Sequence, residues 1–268
     1  MTTPLGSPVN EVVVSIAFPH NRALSGPFLG ASVGGLMQRY PNVQQQPPYE
    51  MPVELPPKKG TPGAIPQVQL FLSTQALEPR FWLVSEDEIA LVQIQANYLA
   101  YNWRRRREGQ IYPGFESLVE SFEQLKNEVE DGVRRGGNEP LRPAQAEVTY
   151  INIVSPSDLW SGHSEMARVL AVDFAELEKA EQFSIAYSKQ LVDSSGAFVG
   201  RVHVAATPAI EVSNGGPAIN LTLTARSGNL DTGETTAGID FIKLAHEHIR
   251  ESFRSLTTDA ARRRWGVK

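Results

Sequence analysis

Val9 to Phe18 is rich in β-branched residues and stops at Pro19, a pattern that predicts a buried or half-buried strand. From Ser25 to Tyr40, the residues Phe28, Leu29, Leu36 and Met37 are spaced as on a helix. Gly30, Gly34 and Gly35 each weaken that helix by about 1 kcal/mol against alanine. Between Pro41 and Pro66 come three consecutive glutamines, two Pro-Pro pairs and the turn signal Lys58-Lys59-Gly60, which predict a long connection with no continuous ladder or helix. Its simplest form is an extended strap over the surface; a ligand for an SH3-type domain would show regular PxxP spacing in a disordered setting.

Three stretches of strand composition follow, Gln67 to Ser73, Arg80 to Ser85 and Ile89 to Trp103, with the acidic corner Glu86-Asp87-Glu88 between the last two. They predict an antiparallel meander. Val92, Ile94 and Ala96 alternate with Gln93, Gln95 and Asn97, but Leu99, Tyr101 and Trp103 take the other parity, so a bulge or tight turn belongs near Asn97. Phe115, Leu118, Val119, Phe122, Leu125 and Val129 then fall at helical spacings, with Glu116, Glu120, Glu123 and Glu128 on other faces and Gly136-Gly137 as the stop.

A strand is expected over Ala146 to Val154, and Ser155 to Leu177 shows no single periodicity. Three more strands follow at Phe183 to Val192, Gly200 to Val212 with a break at Pro208, and Ala218 to Arg226, joined by Ser194-Ser195-Gly196 and Asn214-Gly215-Gly216-Pro217. The last long helix runs from Ile239 to Leu256, and Thr257 or Thr258 caps a short final turn ending near Trp265-Gly266.

The order of elements repeats. Glu11-Val12 matches Glu147-Val148, and Glu120-Ser121-Phe122-Glu123-Gln124-Leu125 matches Glu251-Ser252-Phe253-Arg254-Ser255-Leu256, at offsets that differ by what one small insertion would absorb. The expected fold class is α+β: curved antiparallel sheets backed by long amphipathic helices, as two tandem β-α-β-β-β-α halves, residues 1–140 and 141–268, packed as one continuous domain. Coincidental similarity between amphipathic helices is the alternative. Side-by-side halves would give a shape like the saddle of TATA-box-binding proteins or a helix-grip sheet, a likeness that implies no activity.

Composition narrows the function classes. The 268 residues are 41% apolar and 21% charged, as in ordinary globular proteins, with a formal charge of -5 that argues against bulk attraction to nucleic acid or anionic membranes. The absence of cysteine excludes disulfides, thiol catalysis, iron–sulfur clusters and cysteine-ligated zinc, and the cytosol is the expected compartment. Met1 to Asn10 has neither a basic nor an apolar leader segment, and no run approaches the roughly 20 apolar residues of a membrane span.

Candidate chemistry is sparse. Arg104-Arg105-Arg106-Arg107 follows Tyr101-Asn102-Trp103 at a strand exit, where guanidinium groups and an aromatic ring could meet a phosphate or a base. The plainer account is a solvated rim making ion pairs, since Glu108 and an acidic helix follow. Arg262-Arg263-Arg264 is explained by the negative end of a helix dipole. His246 and His248 are two apart on a helix and cannot share a metal, and His20, His163 and His203 belong to no nucleophile motif. Glu86 to Glu88 suits an exposed corner, and Gly34-Gly35 and Gly215-Gly216 lack the lysine and context of a phosphate loop.

Pro8 with Glu11-Val12-Val13, Phe81-Trp82, Leu91-Val92-Gln93-Ile94-Gln95, Tyr101-Asn102-Trp103-Arg104-Arg105, Tyr112-Pro113, Glu147-Val148-Thr149-Tyr150-Ile151-Asn152, and an ending with His246, Phe253, Leu256-Thr257-Thr258, Ala261 and Trp265-Gly266 together resemble a sporadically distributed family of uncharacterised prokaryotic proteins of roughly this length. The resemblance implies a prokaryotic cytosolic protein, and a patchy distribution would suit an accessory role such as phage defence; it carries no catalytic residue across. The expected function is therefore non-enzymatic binding or regulation, without a cofactor or metal, with a protein partner or small ligand at Asn102, Trp103, Arg104, Arg105 and Tyr112, and with homodimerisation through sheet edges. Two alternatives stand beside it: a nucleic-acid or nucleotide-phosphate binder using Trp103 and Arg104 to Arg107, and an enzyme whose site residues lie far apart in sequence.

Overall fold

A computed structural model describes residues 6–57, 78–157, 159–172, 184–211, 215–230, 234 and 236–267. Among them, nine strands form one antiparallel open sheet with four helices packed on it. The strands are β1 (Val9–Ala17), β2 (Asn42–Gln46), β3 (Arg80–Val84), β4 (Ala90–Gln95), β5 (Tyr98–Arg104), β6 (Gln145–Val154), β7 (Ile185–Val192), β8 (Phe198–Ile210) and β9 (Pro217–Ser227). Their order is β2-β3-β4-β5-β1-β6-β9-β8-β7. The first strand of each half thus lies at the centre, and the two meanders extend outward from it.

Period-two patterning sets the two faces. In β1, Val12, Val14 and Ile16 point into the main core, opposite Trp103, Tyr101 and Leu99 of β5 and Tyr150, Val148 and Ala146 of β6. Glu11, Val13, Ser15 and Ala17 face the other way. The core face is covered by α2 (Phe115–Arg135) and α3 (Ala237–Leu256). α2 lies on β5 and β1, and α3 on β6, β9 and β8, so each helix covers its own half of the sheet. Phe122, Leu125 and Val129 of α2 and Ile242, Ala245 and Ile249 of α3 are buried there, at roughly 1.5–3 kcal/mol for each large apolar side chain removed from water. α4 (Asp259–Trp265) follows α3; the Thr258 hydroxyl accepts from the Ala261 amide at its start, and Gly266 closes it in the left-handed conformation.

Three segments depart from expectation. The helix expected over Ser25 to Tyr40 is broken into 3-10 turns at Gly26–Phe28 and Gly34–Gln38 around a short α1 (Leu29–Val33), with a further 3-10 turn before it at Arg22–Leu24, because Gly30, Gly34 and Gly35 leave too little helical preference for one continuous rod. The connection after Pro41 does supply a ladder: β2 pairs with β3 from Asn42↔Val84 to Gln46↔Arg80 and stops at Pro47-Pro48. An edge strand needs one partner only and tolerates exposed glutamines, so polar composition did not prevent pairing. β8 also runs through Pro208, which stays in register with Ile219; β7 pairs with β8 only as far as Ala206, so the missing N–H falls where β8 has a ladder on one side.

The turn expected near Asn97 is the connection between β4 and β5, and both meanders have the expected antiparallel sense. The strand expected at Gln67 to Ser73 and the Lys58-Lys59-Gly60 turn lie outside the described residues. No helix among the described residues is long and apolar enough to cross a membrane.

Candidate binding surface

Opposite the helices, the sheet presents a polar face. In the first half a chain of hydrogen bonds crosses four strands: the Arg80 guanidinium (2.9 Å) and the Trp82 indole N–H (3.2 Å) donate to Gln93 Oε1, Gln93 Nε2 donates to Asn102 Oδ1 at 2.8 Å, and Asn102 Nδ2 donates to Glu11 Oε1 at 2.5 Å. The Gln93 and Asn102 amides are paired at both oxygen and nitrogen, as a low-dielectric site favours, whereas Arg80 Nε is buried without a partner. In the second half, Glu147 of β6 receives Arg226 of β9 at 2.5 Å, and the Thr149 and Thr224 hydroxyls share a hydrogen bond of 2.9 Å. Thr149, Asn220, Thr222, Thr224, Ala205 and Thr207 form a half-buried, uncharged stripe over β6, β9 and β8.

A coil segment from Tyr49 to Glu54 crosses this face near the end of β1 that carries Ala17. The Tyr49 amide donates to Gln95 Oε1 (2.9 Å) while Gln95 Nε2 donates back to the Tyr49 carbonyl (3.0 Å), which fastens the strap to β4. The Tyr49 ring meets Tyr98 edge-on at 4.9 Å, and Met51 packs with Tyr98 and Ala100. Farther along, Gln145 of β6 donates to the Pro52 carbonyl at 3.0 Å. The strap then delivers Glu54 to the second half: Oε2 accepts from Arg201 (2.7 Å), and Oε1 from His203 (2.6 Å) and Arg226 (3.2 Å). Glu54 is only 6% exposed. Burial alone would raise its pKa, but the hydrogen bonds from His203 and Arg201 and the charge of Arg226 outweigh that and hold it at about 2.

The five expected site residues do not share one surface. Asn102 (3% exposed) and Arg104 lie on the polar face, Asn102 in the hydrogen-bond chain and Arg104 opposite Glu11 in the ladder. Burial lowers the pKa of Arg104, and the Arg106 charge adds to this against the pull of Glu11 and Glu88. Trp103 and Tyr112 are on the helix side. Trp103 is 5% exposed and meets Tyr112 edge-on at 5.2 Å, so its ring faces are taken up by the core. Arg105 donates to the Ser7 carbonyl at 2.8 Å, and burial lowers its pKa too. Arg106 and Arg107 are exposed, and Arg106 reaches the Glu88 carboxylate at 3.7 Å.

Tyr112 belongs instead to a cluster between the sheet and the starts and middles of the two long helices. Its hydroxyl is 3.0 Å from that of Tyr150, which is 3.0 Å from His246 Nδ1, and the His246 ring stacks on Phe115 at 3.8 Å. Burial pushes both tyrosines up, Tyr112 to about 12, and pushes His246 down to about 4, so the imidazole is neutral at pH 7.

Glu54, Arg201 with His203, and Arg226 come from three separate places in the chain; the alternate spacing of Arg201 and His203 on one strand and the glutamates within a proline-rich apolar stretch were the available signals. Among the described residues, no group of three or more His, Asp or Glu side chains could hold a metal ion. Compared with protein-family models, curated proteins and solved structures, the chain gives no match.

Proposed function

We propose that this is a non-enzymatic binding protein whose working surface is the polar face of its sheet. The carrying observation is the half-buried stripe of Thr149, Asn220, Thr222 and Thr224, side chains that offer donors and acceptors from rigid adjacent strands while both long helices are committed to the opposite face. Hydroxyls and amides on a sheet suit recognition by hydrogen bonding, whether of a protein segment or a small ligand. An accessory or defence-type role in a prokaryotic cytosol, as the family resemblance implies, remains part of the same proposal, as does homodimerisation through the β2 or β7 edge.

Two tandem halves with a saddle-like form are also proposed. Val13 lies opposite Thr149 in the central ladder, so a two-fold axis between them would carry Glu11 onto Glu147 and Val12 onto Val148, the same residues that match in sequence. The same operation carries Arg104, the cross-strand neighbour of Glu11, onto Arg226, the neighbour of Glu147. The equivalent register of these Glu and Arg positions supports the duplication over coincidental similarity of two amphipathic helices.

Co-purification from the native host tests the binding reading. A stoichiometric partner or ligand should come with the wild-type protein and be lost when Thr222 and Thr224 are both changed to Arg, which fills the stripe without touching the core. Recovery undiminished by those changes, or repeated recovery of the bare protein, counts against it. Nucleic-acid binding through Arg104 to Arg107 is less well supported, because Trp103 and Arg104 are buried and Arg105 is half-buried against the Ser7 carbonyl.

A further inference from the structure

Glu54 is an unexpected residue to bury on a coil segment, since an ionised carboxylate gives up its hydration there. Its apolar neighbours do not account for the position: Val53 is 47% exposed and Leu55 56% exposed, so this end of the strap is held chiefly by the charges beneath it. The basic groups do not depend on the strap for their placement. Arg201 and His203 lie on β8 and Arg226 on β9, with Arg201 directly opposite Arg226 in the ladder. The Arg201 guanidinium also sits over the Phe198 ring at 5.0 Å, which fixes its plane. Arg226 retains Glu147 when Glu54 is removed, whereas Arg201 and His203 would lose the carboxylate they share.

Three donors from rigid strands therefore converge on two oxygens of one anionic group, an arrangement that suits a phosphate as well as a carboxylate. We propose that Arg201, His203 and Arg226 form a phosphate-binding cradle on the polar face, and that Glu54 occupies it as an internal competitor. A phosphate group entering the cradle displaces Glu54 and frees the strap end from the second half of the sheet. This rests on the polar face being the working surface, and it names both a ligand chemistry and a control of access.

The test compares wild type, Glu54→Gln and the double variant Glu54→Gln/Arg201→Gln at low salt. The probes are inorganic pyrophosphate, followed by calorimetry, and a short fluorescein-labelled oligothymidylate, followed by anisotropy. Removing the competitor should tighten binding by about tenfold or more, since apparent affinity scales with the open fraction. The double variant should fall back to the wild-type level. A gain with both probes assigns recognition to the phosphate group itself; a gain with the oligothymidylate alone assigns it to a phosphodiester chain. Equal binding by wild type and a folded Glu54→Gln protein overturns the cradle. If Glu54→Gln fails to fold, hydrogen exchange in the wild-type protein decides: saturating pyrophosphate should speed exchange of the strap amides from Glu50 to Leu55 and leave β1 unchanged, and no change there overturns it equally. Because these probes are defined, their failure is separate from that of partner capture through Thr222 and Thr224.

Discussion

His246 and Glu54 are ionisable residues held away from their ordinary behaviour for opposite reasons, and each leaves its own mark on acid stability. Burial depresses the His246 pKa to about 4, while an unfolded chain takes up that proton near 6.5. The unfolded state therefore binds more protons between those values, and stability falls as pH drops from about 6.5 to about 4. Glu54 is held at about 2 against an ordinary 4.5, so the stability it contributes is fully present above 4.5 and is lost as pH falls toward 2. His246→Phe, which preserves the stack on Phe115, should flatten the unfolding free energy between pH 6.5 and 4.5 and leave the more acidic decline in place. Urea titrations across that range check it; an unchanged slope in the variant would show that His246 is not the group responsible.

Among the elements, the broken first helix and α2 pack unusually close. A Cβ added at Gly132 would fall on the Ser32 carbonyl of α1, and the Ser32 hydroxyl is already donated to the Ala23 carbonyl at 2.8 Å. Gly132→Ala improves helix propensity by about 1 kcal/mol in a free helix, but overpacking against backbone costs about 1–3 kcal/mol. Net destabilisation is the expected outcome, visible as a lower urea midpoint with an unchanged slope; a stabilised variant would mean that α1 moves aside freely. α2 and α3 were readable from their apolar spacing because each covers a flat sheet with a single stripe. β2 was not, because its partner, β3, lies more than thirty residues away and its side chains are exposed or half-buried, so no pattern of burial is written into Asn42–Gln46.

For the molecule as a whole, the central ladder between β1 and β6 is the joint on which everything turns. Eight register pairs, from Val9↔Asn152 to Ala17↔Gln145, join the halves there. Residues 1–140 alone would leave the β1 edge unpaired beside the apolar row Val12, Val14 and Ile16, and exposed edges of that kind pair with other chains. That fragment is expected to self-associate, and refolding it together with residues 141–268 should give a one-to-one complex of the size of the intact protein. Size exclusion with light scattering reports the result, and a stable monomeric fragment 1–140 would show that the halves fold independently.

The sequence by itself determined the class of fold, the two long helices, the second meander, the β3 to β5 part of the first and the turn at Asn97, because each is encoded by local periodicity that any packing partner must respect. It also pointed to an extended strap, from proline content, and the stretch from Tyr49 to Glu54 takes that form. The tertiary structure alone decided which face each side chain serves. One residue's step along β5 separates Asn102 in the polar network from Trp103 in the core, so a run of neighbours that looked like one site is divided between two faces. It alone brought Glu54 onto Arg201, His203 and Arg226, since those contacts follow from strand order and from the path of a coil, and neither leaves a periodic trace in the chain.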